Sequence, residues 1–448
     1  MKKINLTEGP IINKLVRFSL PMIAGNLLQQ VYNIVDTLIV GKFIGPDALA
    51  AVGSAYTLMV FITSIIIGLC MGSGAFFSVD NGAGDHRQLK EDTFLSFFFI
   101  FTVSAVICAI IYPATNLILR VLQTPDELFE MTREYVIYVF AGIIFIFLYN
   151  FFAYLLRAMG DSTTPLIFLA ISAVMNIGLD IWFVVGFDMG VGGAALATVI
   201  SQAVSGVGIG IYSLIKLPVF KRTGEKLRFT KGRLLKIIAN DVATGIQQSV
   251  MNFGILMIQG LVNSFGKVVM ASFAAAVKID TLAYMPAQEF GNAYSLFISQ
   301  NYGANKDDRI KKGTKASFAA SAIFCLAISS VIFIFAKNLM TLFVDPKETQ
   351  IIAEGARYLR IEGAMYAGIG ILFLWYGYFR GVNRPHISLI LTVISLGTRV
   401  LLSYIFAPNT PLGVLAIWLS IPIGWFLADI AGLLFYKKKN AQKRGASD

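Results

Sequence analysis

Apolar stretches near the roughly 20 residues needed to cross a hydrocarbon layer follow one another along this chain, parted by short polar connections. Twelve stand out, at about 15–41, 50–78, 93–113, 133–157, 165–186, 191–216, 235–263, 269–299, 316–336, 358–380, 386–406 and 413–436. Each is predicted to be a transmembrane helix. The second, seventh and eighth are long enough to tilt, bend or run beyond the bilayer. Met1 to Arg17 is polar and leads straight into the first long helix, so no cleavable leader is expected. The pattern predicts an all-α integral membrane protein of twelve transmembrane helices.

The polar punctuation repeats. Gln29-Gln30 returns as Gln247-Gln248, Asn81-Gly82-Ala83 as Asn301-Tyr302-Gly303-Ala304, and Arg157-Ala158-Met159-Gly160 with Pro165 as Arg380-Gly381-Val382-Asn383 with Pro385. The offset is about 220 residues. Six spans per copy return the chain to its starting side. The copies are therefore parallel repeats, as in transporters whose two bundles enclose a central cavity. This divides the chain into an N-terminal six-helix lobe at 1–216, a basic cytoplasmic linker at 217–236 broken by Pro218 and Gly224, and a C-terminal six-helix lobe at 237–448. The two six-helix bundles should be pseudo-symmetric.

Composition agrees with a membrane solvent. Hydrophobic residues make up 56% and charged residues 14%, with a mean hydropathy of +0.71, too few charges to cover a water-soluble surface. The net charge of +11 suggests nucleic acid only until its placement is read. Lys and Arg gather in alternate connections: Lys2, Lys3, Lys14 and Arg17; Arg87 and Lys90; Arg157; Lys216 to Lys236; Lys306 to Lys315; Arg380 and Arg384; and Lys437 to Lys439. That is the positive-inside pattern, and it places both termini and the central loop in the cytoplasm. No nucleic-acid partner is expected. Cys70, Cys108 and Cys325 lie in separate spans and read as small packing residues. The glycines at 68, 72 and 74 and at 206, 208 and 210 read as helix-packing surfaces, since no βαβ unit surrounds them to make a nucleotide loop.

Ionisable groups inside spans carry the functional information, because each is costly there. In the first half they are Asp36 and Asp180, with Asn176 one turn before Asp180. Counted from the outer ends of their helices, Asp36, Asp180 and Thr198 share a depth of about 10 Å. With Asn176 they form a candidate oxygen cage. No basic residue stands at that depth, so the two carboxyls should hold a proton or a cation, H⁺ and Na⁺ suiting hard oxygens equally. The repeat places Gly254 opposite Asp36, and Val400, beside Arg399, opposite Asp180, so the cage is confined to one copy. In the second half Lys278, Asp280 and Arg399 are read as a structural ion pair. Glu289, three residues after Pro286, either lines the cavity or is a buried neutral acid; Asp429 is open in the same way. Asp80, Asp85 and Asp241 lie near span ends and call for no functional role. Tyr32, Tyr149, Tyr284 and Tyr366, with Glu289 and Asp280, are candidates for a wall that would hold organic cations through their ring faces and charge.

These residues resemble a known family. Leu20-Pro21 with Gln29-Gln30, Asp36-Thr37, Gly41, Gly45 and Ala48-Leu49-Ala50 is similar to the first hairpin of multidrug and toxic compound extrusion (MATE) transporters. Arg157-Ala158-Met159-Gly160-Asp161 with Pro165, then Asn176 and Asp180, resembles the start and interior of that family's fifth helix. Gly192 to Thr198 resembles its sixth helix, and Gln300-Asn301-Tyr302-Gly303-Ala304 the end of its eighth. The resemblance spans essentially the whole chain. It implies two six-helix lobes and antiport of lipophilic cationic compounds against inward H⁺ or Na⁺ by alternating access. It also implies an ion site at Asp36, Asn176 and Asp180 with Thr198 nearby. Members with a C-terminal-lobe cation site use acids on helices seven and ten. Here the seventh span has Gln247-Gln248, and 364–379 in the tenth contains no acid.

The expectation is a non-enzymatic, ion-coupled multidrug exporter in the bacterial cytoplasmic membrane, acting as a monomer on small organic cations, with no cofactor beyond the coupling ion. A lipid-linked saccharide flippase of the same superfamily would favour an Arg-lined cavity for phosphate, and Arg399 is the main in-span Arg. A membrane-embedded transferase would need acids or His clustered at one interface, whereas His86 and His386 lie in separate loops.

Overall fold

The computed structural model describes residues 3–121, 124–221 and 227–444, with side chains described except at 57 and 439–444. Residues 222–226 of the expected linker, Gly224 among them, fall outside that range. The described residues form fourteen α-helices and no strand. These are α1 (Ile11–Ile39), α2 (Pro46–Ala83), α3 (His86–Val121), α4 (Asp126–Ala141), α5 (Ile143–Ala158), α6 (Thr163–Asp180), α7 (Gly190–Lys216), α8 (Lys231–Asn263), α9 (Lys267–Gly303), α10 (Asp307–Met340), α11 (Thr349–Gly363), α12 (Tyr366–Gly381), α13 (Pro385–Asn409) and α14 (Val414–Arg444).

Fourteen helices reduce to twelve passes because the fourth pass of each repeat is broken. α4 and α5 meet at Gly142 with a bend of 41°, and α11 and α12 part around Ala364 and Met365. Among the described residues eight helices are long and apolar enough to cross a membrane alone, and α4 with α5 makes a ninth. The helices α1 and α8 are diluted by polar side chains, Asn26, Gln29, Gln30, Asn33 and Asp36 in one and Asn240, Asp241, Gln247, Gln248 and Asn252 in the other. They open the two repeats. Polar spans in a bundle turn inward, toward protein or water, because lipid cannot satisfy them.

Contacts divide the chain into two units, Met1–Leu6, Leu20–Ser249 and Gly303–Asn305 in one, Thr7–Ser19, Val250–Tyr302 and Lys306–Asp448 in the other. The opening helix of each repeat is thus shared, the start of α1 counting with the second unit and the start of α8 with the first.

In the first unit α2 packs on α3, α4 and α5, and α7 on α4, α5 and α6. Between them lies an aromatic core in which Phe97, Phe147, Phe151 and Phe152 touch edge to face or tilted. The start of α8 lies directly on α2. A Cβ at Gly68 would stand 2.6 Å from the Gly245 Cα, and one at Gly72 2.8 Å from the Asp241 Cα. Small residues four apart are what let two backbones approach this closely in a membrane. The fully buried Asp241 accepts the Ser73 hydroxyl, and Asn240 donates to the Gly72 carbonyl at 2.9 Å. The helix contact is therefore polar as well as close.

The basic ends of these helices are tied by charge. The Arg233 guanidinium bonds both oxygens of the buried Asp92, reaches Asp80 at 3.0 Å, and lies over the Phe76 ring. Asp85 caps α3 by accepting the Gln88 N–H at 2.9 Å, and Asp161 caps α6 by accepting those of Thr163 and Thr164. Asp80, Asp85 and Asp241 thus each have a structural task, and Asp241 is a core residue instead of an interfacial one. Gly160 holds a φ of +87° and accepts the Ile4 N–H at 2.9 Å, where any Cβ would strike the Ile4 carbonyl.

The second unit is built alike, α10 packing on α11 and α12, and α14 on α11, α12 and α13. Phe273, Tyr358 and Trp418 form an aromatic box whose indole N–H donates to Glu354 at 2.7 Å. Lys306 and Arg309 donate to the carbonyls of Thr7, Glu8 and Gly9 and so hold the segment before α1.

Gly68→Leu should separate α2 from α8 and lower stability by about 1–3 kcal/mol, the usual range for overpacking. Thermal unfolding of the detergent-solubilised protein should show a Tm lower by several degrees; an unchanged Tm would remove the close crossing from the account.

Candidate functional site

The acids predicted to share a depth are brought together. Asp36 lies near the end of α1 and Asp180 is the last residue of α6. Asp180 is fully buried and Asp36 half-buried, and their carboxyl groups are within hydrogen-bonding reach of each other. No protein N–H or hydroxyl among the described residues reaches Asp36 Oδ1 or either oxygen of Asp180, and no Lys or Arg forms an ion pair with either. Two carboxyls can bond each other only with a proton, or a cation, between them. The neighbouring groups add oxygen. Asn176, one turn before Asp180, directs its side-chain N–H toward the Thr198 hydroxyl at 3.5 Å, and its Oδ1 is buried without a donor. The Thr198 hydroxyl donates to the Ala194 carbonyl at 3.1 Å, which leaves its oxygen to accept from Asn176. Asp36 with Asp180 and Asn176 with Thr198 thus form two pairs, drawn from α1, α6 and α7 and linked by the turn of α6 between Asn176 and Asp180.

The backbone after each acid is unusual. Val40–Ile44 follows α1, and Ile181–Gly186 follows Asp180 directly; both are π-helical. Their wide turns show as i to i+5 bonds from Gly45 N–H to the Val40 carbonyl and from Phe187 N–H to the Trp182 carbonyl. The two π turns pack against each other and against α7. Such turns carry one residue too many for an α-helix and gather at functional sites. Nothing in the hydrophobic period at 40–44 or 181–186 distinguishes them from α-helix, so the sequence alone did not indicate them.

Tyrosines surround the pair. Tyr32, half-buried on α1, and Tyr135, buried on α4, both lie within electrostatic reach of Asp36 and Asp180. Tyr32 was a candidate; Tyr135 was missed, although it stands at the place in its repeat that Tyr358 occupies in the other, 223 residues on. Tyr149 is elsewhere, its hydroxyl bonded to the Pro165 carbonyl at 3.1 Å, where it joins α5 to α6.

The second unit holds a different cluster. Asp280 accepts the Tyr366 hydroxyl at 2.6 Å, and Tyr284 and Tyr358 lie within its electrostatic reach. The structure corrects the expected Lys278–Asp280–Arg399 ion pair. Lys278 is exposed, and no cation among the described residues approaches Asp280 to ion-pair distance. Asp280 instead lies within electrostatic reach of a second acid, Glu362, only 2% exposed at the end of α11, and of Arg399, which stays beyond ion-pair distance. Glu362 was overlooked because it sits just before the break, two residues ahead of the stretch searched for an acid. Glu289 accepts the Asn292 side-chain N–H at 3.3 Å, and Asn292 in turn accepts from the buried Arg380 at 3.0 Å, so a cation stands one residue removed from it. Asp429 Oδ1 is buried on α14 with no donor. His86 and His386 begin α3 and α13.

Comparison with known proteins follows the repeat. The model of the MatE family matches residues 21–182 and again residues 243–405. The probable multidrug resistance protein YpnP of Bacillus subtilis (strain 168) is 30% identical over 98% of this chain and 97% of its own length. The multidrug export protein MepA of Staphylococcus aureus (strain NCTC 8325 / PS 47) is 24% identical over 95% of this chain and 94% of its own. A crystal structure of MATE in the bent conformation superposes with a TM-score of 0.92 at 24% identity, covering 100% of both chains, a likeness of fold.

If Asp36 and Asp180 face each other, cysteines in their places, in a chain whose three native cysteines are replaced, should be joined by a short thiol-to-thiol cross-linker. A cross-linked band on non-reducing mass analysis is expected; free thiols throughout would contradict the paired geometry.

Proposed function

The chain belongs to the MatE family, and from that membership we propose a secondary-active multidrug exporter that exchanges small lipophilic cations for inward H⁺ or Na⁺ by alternating access. The observation that carries this reading is the Asp36–Asp180 pair, two buried carboxyls with no fixed cation between them. A charge left in a low-dielectric site without a partner is costly, so the pair has affinity for one mobile positive charge. With Asn176 and Thr198 it offers the hard oxygen set that suits H⁺ or Na⁺.

Exchange follows when ion and substrate favour different conformations, since each shifts the equilibrium only by its differential affinity. Binding the ion cancels repulsion between the ends of α1 and α6 and draws them together. The π turns that follow the acids let those ends shift register without losing backbone bonds. Tyr32 and Tyr135 extend the ring faces around the acids, and Glu289, Asp280, Tyr284 and Tyr366 remain candidates for substrate contact in the other unit, where ring faces attract organic cations. In this reading the protein works as a monomer in the bacterial cytoplasmic membrane with both termini on the cytoplasmic side; the bacterial relatives support the membrane, and the alternating basic connections support the orientation.

A flippase reading is less favoured for a specific reason. The buried Arg399 lies within electrostatic reach of both Asp280 and Glu362, whose negative charge would oppose a phosphate there.

Reconstituted vesicles under an imposed pH or Na⁺ gradient, one at a time, should move a cationic dye such as ethidium. Asp36→Asn and Asp180→Asn should each reduce gradient-driven transport at least tenfold while the protein still inserts and binds dye. Undiminished gradient-driven transport by both variants would refute the site.

A further inference from the structure

Asp241 is a fully buried acid that makes no ion pair with any cation among the described residues. It lies on α8 inside the close crossing with α2. The Ser73 hydroxyl donates to its Oδ2, while Oδ1 has no donor and is aimed at Gly72, where a Cβ would stand 2.7 Å from it. The surrounding groups bring no spare positive charge. Asn240 directs its side-chain N–H to the Gly72 carbonyl at 2.9 Å. Cys70 of α2 and Asp92 of α3 are the titratable groups within electrostatic reach. Arg233, at the start of α8, is bound to both Asp92 and Asp80, two acids for one guanidinium.

We propose that Asp241 is a second proton-binding site, a latch that holds α2 against α8 while it keeps its proton and lets them part when the proton leaves to the cytoplasm. The proposal goes beyond the exporter reading but rests on it for the alternating-access cycle and the cytoplasmic placement of the basic helix ends. One hydrogen bond from a neutral hydroxyl does not balance a buried carboxylate, so the closed crossing takes the neutral acid. The ligand is a proton, because a Cβ at Gly72 would already collide with Oδ1, whereas a bound metal cation needs room for several oxygen ligands.

Once α2 and α8 separate, water reaches the carboxyl and it ionises. Its charge then opposes re-closure until a proton returns. Because opening releases one proton, raising the pH favours the open crossing and lowering it favours the closed one. The open-to-closed ratio changes about tenfold per pH unit above the ordinary range of an exposed aspartic acid, about 4. An alkaline cytoplasm therefore frees this end of the bundle, and an acidified one keeps it shut. This latch is separate from the Asp36–Asp180 site.

A thiol at the crossing reports its opening. Thr244 is fully buried on α8, and its carbonyl lies against Gly68. Thr244→Cys is introduced into the full-length, detergent-solubilised protein with Cys70, Cys108 and Cys325 replaced by serine. Its alkylation by N-ethylmaleimide is divided by the rate for glutathione at the same pH. The normalised rate should rise about tenfold per pH unit between about pH 6 and about pH 8. With Asp241→Asn, which stays neutral, the rate should be low and independent of pH, and Asp241→Glu should restore the dependence. An equal rise in Asp241→Asn would overturn the proposal. So would a pH-independent rate, or no alkylation at any pH, with Asp241 in place; this arm decides the matter where Asp241→Asn fails to insert. Ethidium transport separates the latch from the ion site. Loss of transport in Asp36→Asn beside pH-independent alkylation leaves the ion site standing and removes only the latch. A steep pH dependence beside undiminished transport in both Asp36→Asn and Asp180→Asn supports the latch and removes the ion site.

Discussion

Two carboxyl groups buried against each other, with no cation fixed beside them, are the constraint around which the rest of this protein is arranged. In water such a pair would simply ionise. Inside a helix bundle one charge must be cancelled, and among the described residues neither Asp36 Oδ1 nor either oxygen of Asp180 has a protein donor, and no Lys or Arg forms an ion pair with either acid. The pair sits at the ends of two helices that both finish in π turns, with Asn176 and Thr198 close by. Charge, spare oxygen and a deformable backbone therefore coincide at one place. That coincidence is what the proposed ion site rests on, since an ion held there would change how two helix ends fit together.

The rest of the first unit holds that place steady. The α2–α8 crossing, made possible by Gly68, Gly72 and Gly245, and the Arg233–Asp92–Asp80 network fasten the basic ends of the helices. Removing one partner of such a network leaves a buried charge alone, which typically costs about 3–5 kcal/mol. The acid pair at the other end has no equivalent fastening. Rigid closure at one end and adjustable closure at the other suit a bundle that responds to an ion.

Much of this was legible in the sequence, for reasons specific to membranes. Lipid tolerates so few polar groups that Asp36 and Asp180 stood out, and counting 1.5 Å per residue from the helix ends placed them together before any contact was known. The twelve passes follow from equally local rules. What escaped was non-local or hidden by composition. The π turns look like ordinary apolar helix. Glu362 lies beside a break whose position the hydropathy pattern blurs, so the search for an acid began two residues late. The pairing of Lys278 with Asp280 failed because positions two apart on a helix differ by about 200°, which sends the lysine outward and the acid inward. Tyr135 could have been found by carrying the repeat through every tyrosine rather than only through the glutamines, asparagines and arginines.

The central claim is that one mobile cation is exchanged at Asp36–Asp180 for each cationic substrate bound. Titrating ethidium into the purified protein in weakly buffered detergent, with and without Na⁺, and recording protons or Na⁺ released per dye bound tests it without transport. The account predicts close to one ion released by the wild-type protein and close to none by the Asp36→Asn/Asp180→Asn double variant, dye still binding. Equal release from both proteins would contradict it.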